Sequence, residues 1–470
     1  MNPKLSKYIP IWEKMRDTML DSEHMKQKAY NQSKGKFQPD CGNLSMFSGF
    51  AQYMRPSEGM RRHRFGLQRY SDYLFYADWY GYPQETHDQG LGMIQNQPPQ
   101  IDLPPSLEYM KDDATSNMES LAKVMNITNS EQMVVSRIGL YLNAGGTSVE
   151  PFNIGIYKAE TIQDWHLVMN DKGEQVADWV KLSTDEIIDK KPVFLILYIE
   201  QDGIYSQYKT TNEDCKYEDL GLADDGFVDG SYNRPFVKEK TIDKIPFIVI
   251  NVVRLGYDLE EPYLESLSDA SIRLFQATAL YSDNINWGGK STLMLTGVDE
   301  NNHYSTGNGT AIITNASEAD GKYLTAGVEG TEPSLKHVER LTNICESLGF
   351  NLKNQGVESC IALATRIETS TASLKTLANT CAEGVEQLLK IGAEWVGDNP
   401  DDVNIEANTS FSDVAYTADD LVKMQLLVRS GSMSQEAFFN ILKKQGLTVA
   451  DILDDEELVK EIEEQQGTSL

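Results

Sequence analysis

Between Pro262 and Val396 the spacing of apolar positions changes repeatedly, and each change predicts a different element. Leu264, Leu267, Ser271, Leu274, Thr278, Tyr281 and Ile285 recur at intervals of three and four, one continuous face of a helix. Pro262 sits at a tolerated first-turn position, and at 1.5 Å per residue Pro262–Trp287 would span roughly 40 Å. From Gly288 to Pro333 the chain turns to Gly, Thr and Asn around short apolar runs (TLMLTG, TAIITN, YLTAG), which predicts short strands and turns. Leu335–Leu348 returns to helical spacing and Gly349 stops it, and GFNLKNQGVESCIA then reads as a loop. Thr365–Val396 is predicted as another helix, with Ile367, Leu374, Leu377, Cys381, Val385, Leu388 and Trp395 on one face. Gly384 and Gly392 mark bends or close packing within it.

Upstream, residues 1–150 read as mainly helical. IPIWEKMRDTML is amphipathic, Lys26–Gly59 is polar and irregular, and Arg61–Tyr80 is an aromatic-rich helix ended by Gly81–Pro83. NQPPQIDLPP crosses the surface as extended chain. A further helix is expected over Gln132–Leu142, with Ser130 or Asn129 as N-cap and Gly145–Gly146 as terminator. From Phe152 to Val253 the period becomes that of strands, with hairpins turning at Asp171–Gly173 and Asp202–Gly203 and a last strand in KIPFIVINVV. Three C-terminal helices are expected: Ala418–Ser430 capped by Thr417, Gln435–Gln445 capped by Ser434, and an acidic one from Val449. The fold class is α+β with an antiparallel sheet, and no period of 20–50 residues marks a solenoid.

At 470 residues, two or three substructures are expected. The net charge of −29 is uneven: residues 1–70 hold 13 Lys/Arg against 6 Asp/Glu, so the other 400 carry −36. A broad phosphate-gripping surface on that majority is disfavoured, because nucleic-acid affinity rests on Lys/Arg neutralising phosphates. Acidity also simply keeps a protein soluble, and composition does not choose between that and a surface DNA must pass without sticking. The N-terminus lacks an apolar signal region, and the longest apolar runs, Val193–Ile199 and Ile245–Val253, fall far short of the roughly 20 residues that span a bilayer. They read as buried strands. Five scattered cysteines without CxxC fit a reducing compartment rather than a disulfide or zinc framework.

No catalytic constellation emerges, and no enzyme activity, metal or cofactor is expected. Asn286–Thr292 (NWGGKST) lacks the first glycine of a phosphate loop and runs from helix to strand, the reverse of the required order. A nucleotide enzyme would rest on Gly288–Thr292 alone. The six histidines are dispersed. Phe65, Tyr70, Tyr73, Phe75, Tyr76, Trp79, Tyr80 and Tyr82 fit core and subunit contacts better than a base-stacking platform. Arg61, Arg62 and Arg64 form the one dense basic cluster, a solvated helix face or a contact for DNA or an acidic neighbour.

This order of elements resembles the portal (head-to-tail connector) proteins of tailed bacteriophages, over about Arg61 to Glu464. The likeness is strongest in IPFIVINVVRLGYDLEEPYLESLSDASIRLFQATALYSDNINWGGKSTLMLTG and ERLTNICESLGFNLKNQGVESCIALATRIETSTASLKTLANTCAEGVEQLLKIGAEWVG, with LVRSGSMSQEAFFNILKKQG similar to the family's closing helical pair. Residues 1–60 are expected to form a basic, partly irregular segment, and the resemblance implies a wing over 61–261, stem helices at 262–287 and 334–348, and a clip over 288–333. It further implies a tunnel loop at 349–362, a tunnel helix with its return to the wing at 363–412, and a short crown at 413–470. Asn351, Lys353, Asn354, Gln355 and Glu358 would face DNA in the tunnel loop. Asn301, His303, Tyr304, Asn308, Glu318 and Lys322 would offer clip docking positions. Family members form rings, usually of twelve, at one capsid vertex. The implied partners are double-stranded DNA passing non-specifically, the terminase large subunit, a head-completion adaptor, and major capsid or scaffold protein, with no membrane. Assembly in the host cytoplasm and a final place in the virion follow. The small residues Ser271, Thr278, Ala378 and Gly384 are expected to let neighbouring copies approach in a closing interface. The alternative is another virion structural protein, an adaptor or minor shell component without a channel.

Overall fold

The structure is a computed structural model. It describes residues 2–34, 53–54, 66–147, 149–170, 173, 175–215, 230–288, 292–296, 320–324, 331–350, 360–409 and 411. Two compact units are present, one of Met1–Asn351 with Thr376–Ala407, the other of Leu352–Lys375 with Asn408–Leu470. The C-terminal helices expected at Ala418–Ser430, Gln435–Gln445 and from Val449 lie outside the described residues.

The first unit opens with helices α1 (Leu5–Thr18), α2 (Ser22–Lys34), α3 (Gly66–Phe75), α4 (Tyr82–Gln95) and α5 (Leu121–Val135). Three expectations need correction here. Lys26–Lys34 belongs to α2 rather than to irregular chain. The aromatic helix ends at Phe75, and Gly81 and Pro83 open α4 instead of closing α3. Gly81 is the N-cap at φ 66°, a left-handed conformation that glycine adopts without steric cost, and Pro83 occupies the first turn. Third, of the helix expected over Gln132–Leu142 only Gln132–Val135 is helical. Helix α5 begins after Ser120, whose Oγ accepts from the Lys123 amide, and ends at Ser136 with φ 60°.

Residues Arg137–Asn143 then form strand β2, the centre of a three-stranded antiparallel sheet with β3 (Asn153–Lys158) and β9 (Phe247–Asn251). A central strand buried on both faces reads as an unbroken apolar run, so periodicity alone does not separate it from a buried helix. A second antiparallel sheet is a meander, β4 (Ile162–Met169), β5 (Gln175–Ile188), β6 (Lys191–Ile199), β7 (Tyr205–Thr210) and β8 (Gly230–Asn233). Both expected hairpins are present: Met169 pairs with Gln175 and Ile199 with Tyr205. A third hairpin turns through Asp189 and Lys190, both at positive φ (51° and 65°), the geometry of a two-residue primed turn.

Further along lie α6 (Glu265–Gly288), the strands β10 (Thr292–Thr296) and β11 (Asp320–Leu324), α7 (Thr331–Leu348) and α8 (Cys360–Val396). The 37 residues of α8 make it about 55 Å long. Its apolar face falls where the spacing places it, with Leu377, Cys381, Val385, Leu388 and Trp395 buried. The glycines on α8 serve close approach. A Cβ at Gly384 would lie 2.5 Å from Ile250 Cδ1 of β9, and one at Gly392 would lie 2.9 Å from Leu142 Cδ2 of β2. Nearby, Thr380 Oγ1 donates to the Val252 carbonyl at 3.1 Å and Trp395 Nε1 to the Lys240 carbonyl at 2.9 Å. The core of the unit is the layer between this helix and the two sheets. A short ribbon of β1 (Gln100–Asp102) and β12 (Asn404–Glu406) closes it.

Candidate functional site: the helix pair and its ribbon

Helix α6 is the structural axis of the candidate site. One apolar cluster joins its Leu264, Leu267, Ala270 and Leu274 to Leu5, Trp12 and Met15 of α1 and to Leu341 and Cys345 of α7. Another joins its Ile272, Phe275 and Ala279 to Met25 and Ala29 of α2, Tyr70 and Leu74 of α3, and Trp79. The helix is therefore buried on two sides as far as Ala279, not on the single face that spacing predicts. The second side exists because α2 and α3 fold back across it. Beyond Ala279 the helix opens to solvent, with Leu280 50% and Ile285 44% exposed.

Helix α7 runs antiparallel to α6. Ser271 Oγ lies 3.9 Å from Cys345 Sγ near one end, and near the other Asn284 Nδ2 donates to Ser334 Oγ at 3.2 Å. Only a narrow stripe of α7 is covered, with Leu341 and Cys345 buried. Between the two helices β10 and β11 pair antiparallel in strict register, Thr292 with Leu324 through Thr296 with Asp320. The order helix, ribbon, helix is the one that spacing predicts, though α7 begins at Thr331, ahead of the predicted Leu335. Helix α6 ends at Gly288 and β10 starts at Thr292, so Asn286–Thr292 runs from helix to strand as its sequence indicates.

The small residues expected to mediate copy-to-copy contact are all buried within the chain. Ser271 Oγ donates to the Leu267 carbonyl at 2.8 Å. Thr278 Oγ1 accepts from the Asp78 amide at 3.1 Å and donates to the Phe275 carbonyl at 2.9 Å. Ala378 is 1% exposed and Gly384 rests on Ile250. They set distances between helices of one copy and do not present a surface to another.

Of the expected site residues only Lys322 is described; it pairs with Met294 in the ribbon and is exposed. The other clip positions (Asn301, His303, Tyr304, Asn308, Glu318), the loop positions Asn351, Lys353, Asn354, Gln355 and Glu358, and the basic cluster Arg61, Arg62 and Arg64 lie outside the described residues. The aromatic set divides. Tyr70 and Trp79 are core, whereas Phe75, Tyr76 and Tyr80 are exposed.

Two buried cations escape sequence reading. Arg137 is 1% exposed; its Nη1 donates at 3.1 Å to the carbonyls of both Tyr257 and Asp258, and the guanidinium lies 4.8 Å from the Trp165 ring. Burial depresses its pKa to about 10, against the opposing pull of Tyr257, Asp258 and Glu260. Lys181 donates to the carbonyls of Glu213 and Cys215 and lies 4.7 Å from the Phe194 ring centre; burial likewise depresses its pKa. Both staple loops onto sheets. His87 bridges Asp88 and Ser130 at 2.9 Å each, a relay-like contact. Ser130 sits inside α5, where backbone amides are committed to the helix ladder and do not form an oxyanion hole. Among the described residues no group of three or more His, Cys, Asp or Glu could hold a metal ion, and no helix is long and apolar enough to cross a membrane.

A family model described as a domain of unknown function (DUF4055) matches residues 263–396, the stretch from α6 through α8. No protein of curated function matches the chain. Among solved structures, a chain from the neck of an empty GTA particle is similar at 9% identity and a TM-score of 0.39, covering 89% of this chain and 97% of its own. A chain from the virion of a native gene transfer agent (GTA) particle is similar at 10% identity and a TM-score of 0.39, covering 80% and 91%. A chain from the neck of the native GTA particle, solved with C12 symmetry, shows 9% identity and a TM-score of 0.37, covering 77% and 90%. Likenesses this distant do not establish a shared fold.

Proposed function

We propose that this chain is the subunit of a phage portal, a non-enzymatic ring at one capsid vertex. DNA enters and leaves through the ring, and terminase and head-completion proteins dock on it. The observation that carries the reading is the antiparallel pair α6–α7 with a two-stranded ribbon joined between them and the long helix α8 downstream. In such a ring α6 and α7 are the stem, β10–β11 belong to the clip, and α8 is the tunnel helix. The far ends of both stem helices expose aliphatic side chains (Leu280, Ile285, Leu335), the surface a lone subunit leaves for its neighbours. The charge balance of −36 beyond residue 70 suits a conduit, since each Lys/Arg contact to phosphate adds affinity and therefore friction.

The test is the mass of the purified full-length chain under assembly conditions, with and without scaffold or shell protein. Species at a high multiple of 52.8 kDa, with twelve copies as the expected number, support the reading. Monomers alone under every condition contradict it.

A further inference from the structure

The exposed surface of α7 is divided by charge. At 3.6 residues per turn, Glu332, Glu339 and Glu346 fall on one flank of the buried stripe together with Leu335. Arg340, His337, Ile344 and Leu348 fall on the opposite flank. Both flanks carry exposed aliphatic side chains, Leu335 at 37% on the first and Ile344 at 36% and Leu348 at 45% on the second. Glu339 and Arg340 are themselves exposed and have no hydrogen bond or ion pair within the described residues. Lys336, between the flanks on the outermost face, is occupied by Glu332 at 2.6 Å.

A helix with an acid-plus-leucine flank and a base-plus-isoleucine flank is not complementary to itself across a two-fold axis. It is complementary to a copy related by rotation about an axis along its length, the heterologous relation that closes rings. Such a rotation preserves height along the axis. The acidic flank of one copy then meets the basic flank of the next with Glu339 and Arg340 offset by one residue, about 1.5 Å. At the 8–10 Å spacing of packed helices the two side chains reach one another.

We infer that α7 packs flank to flank against α7 of a second copy, with Glu339 of one copy paired to Arg340 of the next at every subunit boundary. The inference rests on the ring reading above and adds which surfaces join and in what register. Repeated around the assembly, the pair aligns neighbouring stems and rejects arrangements that would set the acidic flank of one copy, with Glu332, Glu339 and Glu346, against the acidic flank of another, because like charges in contact are unfavourable.

Charge exchange tests this directly. Full-length Glu339→Arg and Arg340→Glu proteins, each with an unchanged circular-dichroism spectrum and melting temperature, are assembled alone and as an equimolar mixture, and read by mass photometry. Each variant alone puts like charges at every boundary, and the ring fraction should fall roughly tenfold or more relative to wild type. In the mixture an alternating ring restores every opposite-charge boundary, so rings should return. Wild-type-like rings from either single variant, or a mixture that stays dissociated, would overturn the pairing and leave the ring reading standing. Absence of rings from the wild-type chain would overturn the ring reading beneath it.

Discussion

Arg137 and Asn251 face each other across strands β2 and β9, and both donate to the carbonyl of Asp258, at 3.1 and 3.0 Å. Their remaining bonds go to the carbonyls of Tyr257 and Gly256, so one buried cation and one buried amide hold the segment between β9 and α6. This segment leads directly from that sheet into α6, and its position sets where the helix starts.

Replacing Arg137 with Ala should therefore be costly. It removes two hydrogen bonds, leaving the Asp258 carbonyl with Asn251 alone, and opens a cavity under Trp165, together about 3 kcal/mol. Urea denaturation should show a lowered midpoint. An unchanged midpoint would mean the loop is held by other contacts.

Gly384 gives a prediction with two opposing terms. Alanine favours an exposed helix interior by about 1 kcal/mol over glycine. Here its Cβ would meet Ile250 at 2.5–2.6 Å and Leu255 at 3.1 Å, and overpacking of that kind costs about 1–3 kcal/mol. Gly384→Ala should lower the melting temperature. Adding Ile250→Val removes Cδ1 but keeps Cγ1, which would lie 2.6 Å from the new Cβ, so it should recover only part of the loss. Stabilisation by the single change would show that the helix and β9 are less closely packed than described.

The docking of α1 should weaken in acid. Arg16 donates to both Glu160 and Glu131, joining α1 to the start of β4 and to α5. Burial alone would raise the Glu160 carboxyl, but hydrogen bonding and the charge of Arg16 outweigh it and hold the pKa below the ordinary 4.5. A carboxyl depressed in the folded state contributes stability that is present above its unfolded pKa and lost as pH falls through the folded value. Between wild type and Glu160→Gln, the difference in stability should be constant above about pH 5.5 and shrink below pH 4.5. A difference that grows on acidification would contradict the assignment.

Shortening Asn351–Ser359 tests the loop role implied by the portal resemblance. Rings should form as in wild type, while packaging or retention of DNA falls. Normal packaging without these residues would remove the loop from the mechanism.

Much of this architecture is legible in the sequence, for reasons that vary by element. The hairpins at Asp171–Gly173 and Asp202–Gly203 show because period-two alternation flanks a turn residue, and the latter's Gly203 sits at φ 79°. The Asp189–Lys190 turn does not, because Lys190 stands where such a turn ordinarily has glycine. The face of α8 is readable since it is buried on one side over many turns, and its glycines mark close packing. Strand β2 is misread as helix because an unbroken apolar run carries no period. The second buried side of α6 depends on α2 and α3 folding back onto it, a tertiary fact that local spacing does not contain. The same cause turns Ser271 and Thr278 from expected surface contacts into interior ones. Of the candidate site, the order of elements is readable, whereas the charge division of α7, three glutamates at seven-residue intervals opposite Arg340, gains meaning only once the buried stripe of Leu341 and Cys345 fixes which way the helix faces.

The most direct test of the central claim is a cryo-electron microscopy reconstruction of the assembled full-length protein. The account predicts a closed ring of identical copies with α6 and α7 around a central opening, lined predominantly by acidic and neutral polar side chains. A compact assembly without an opening, or an opening lined by arginine and lysine, would contradict it.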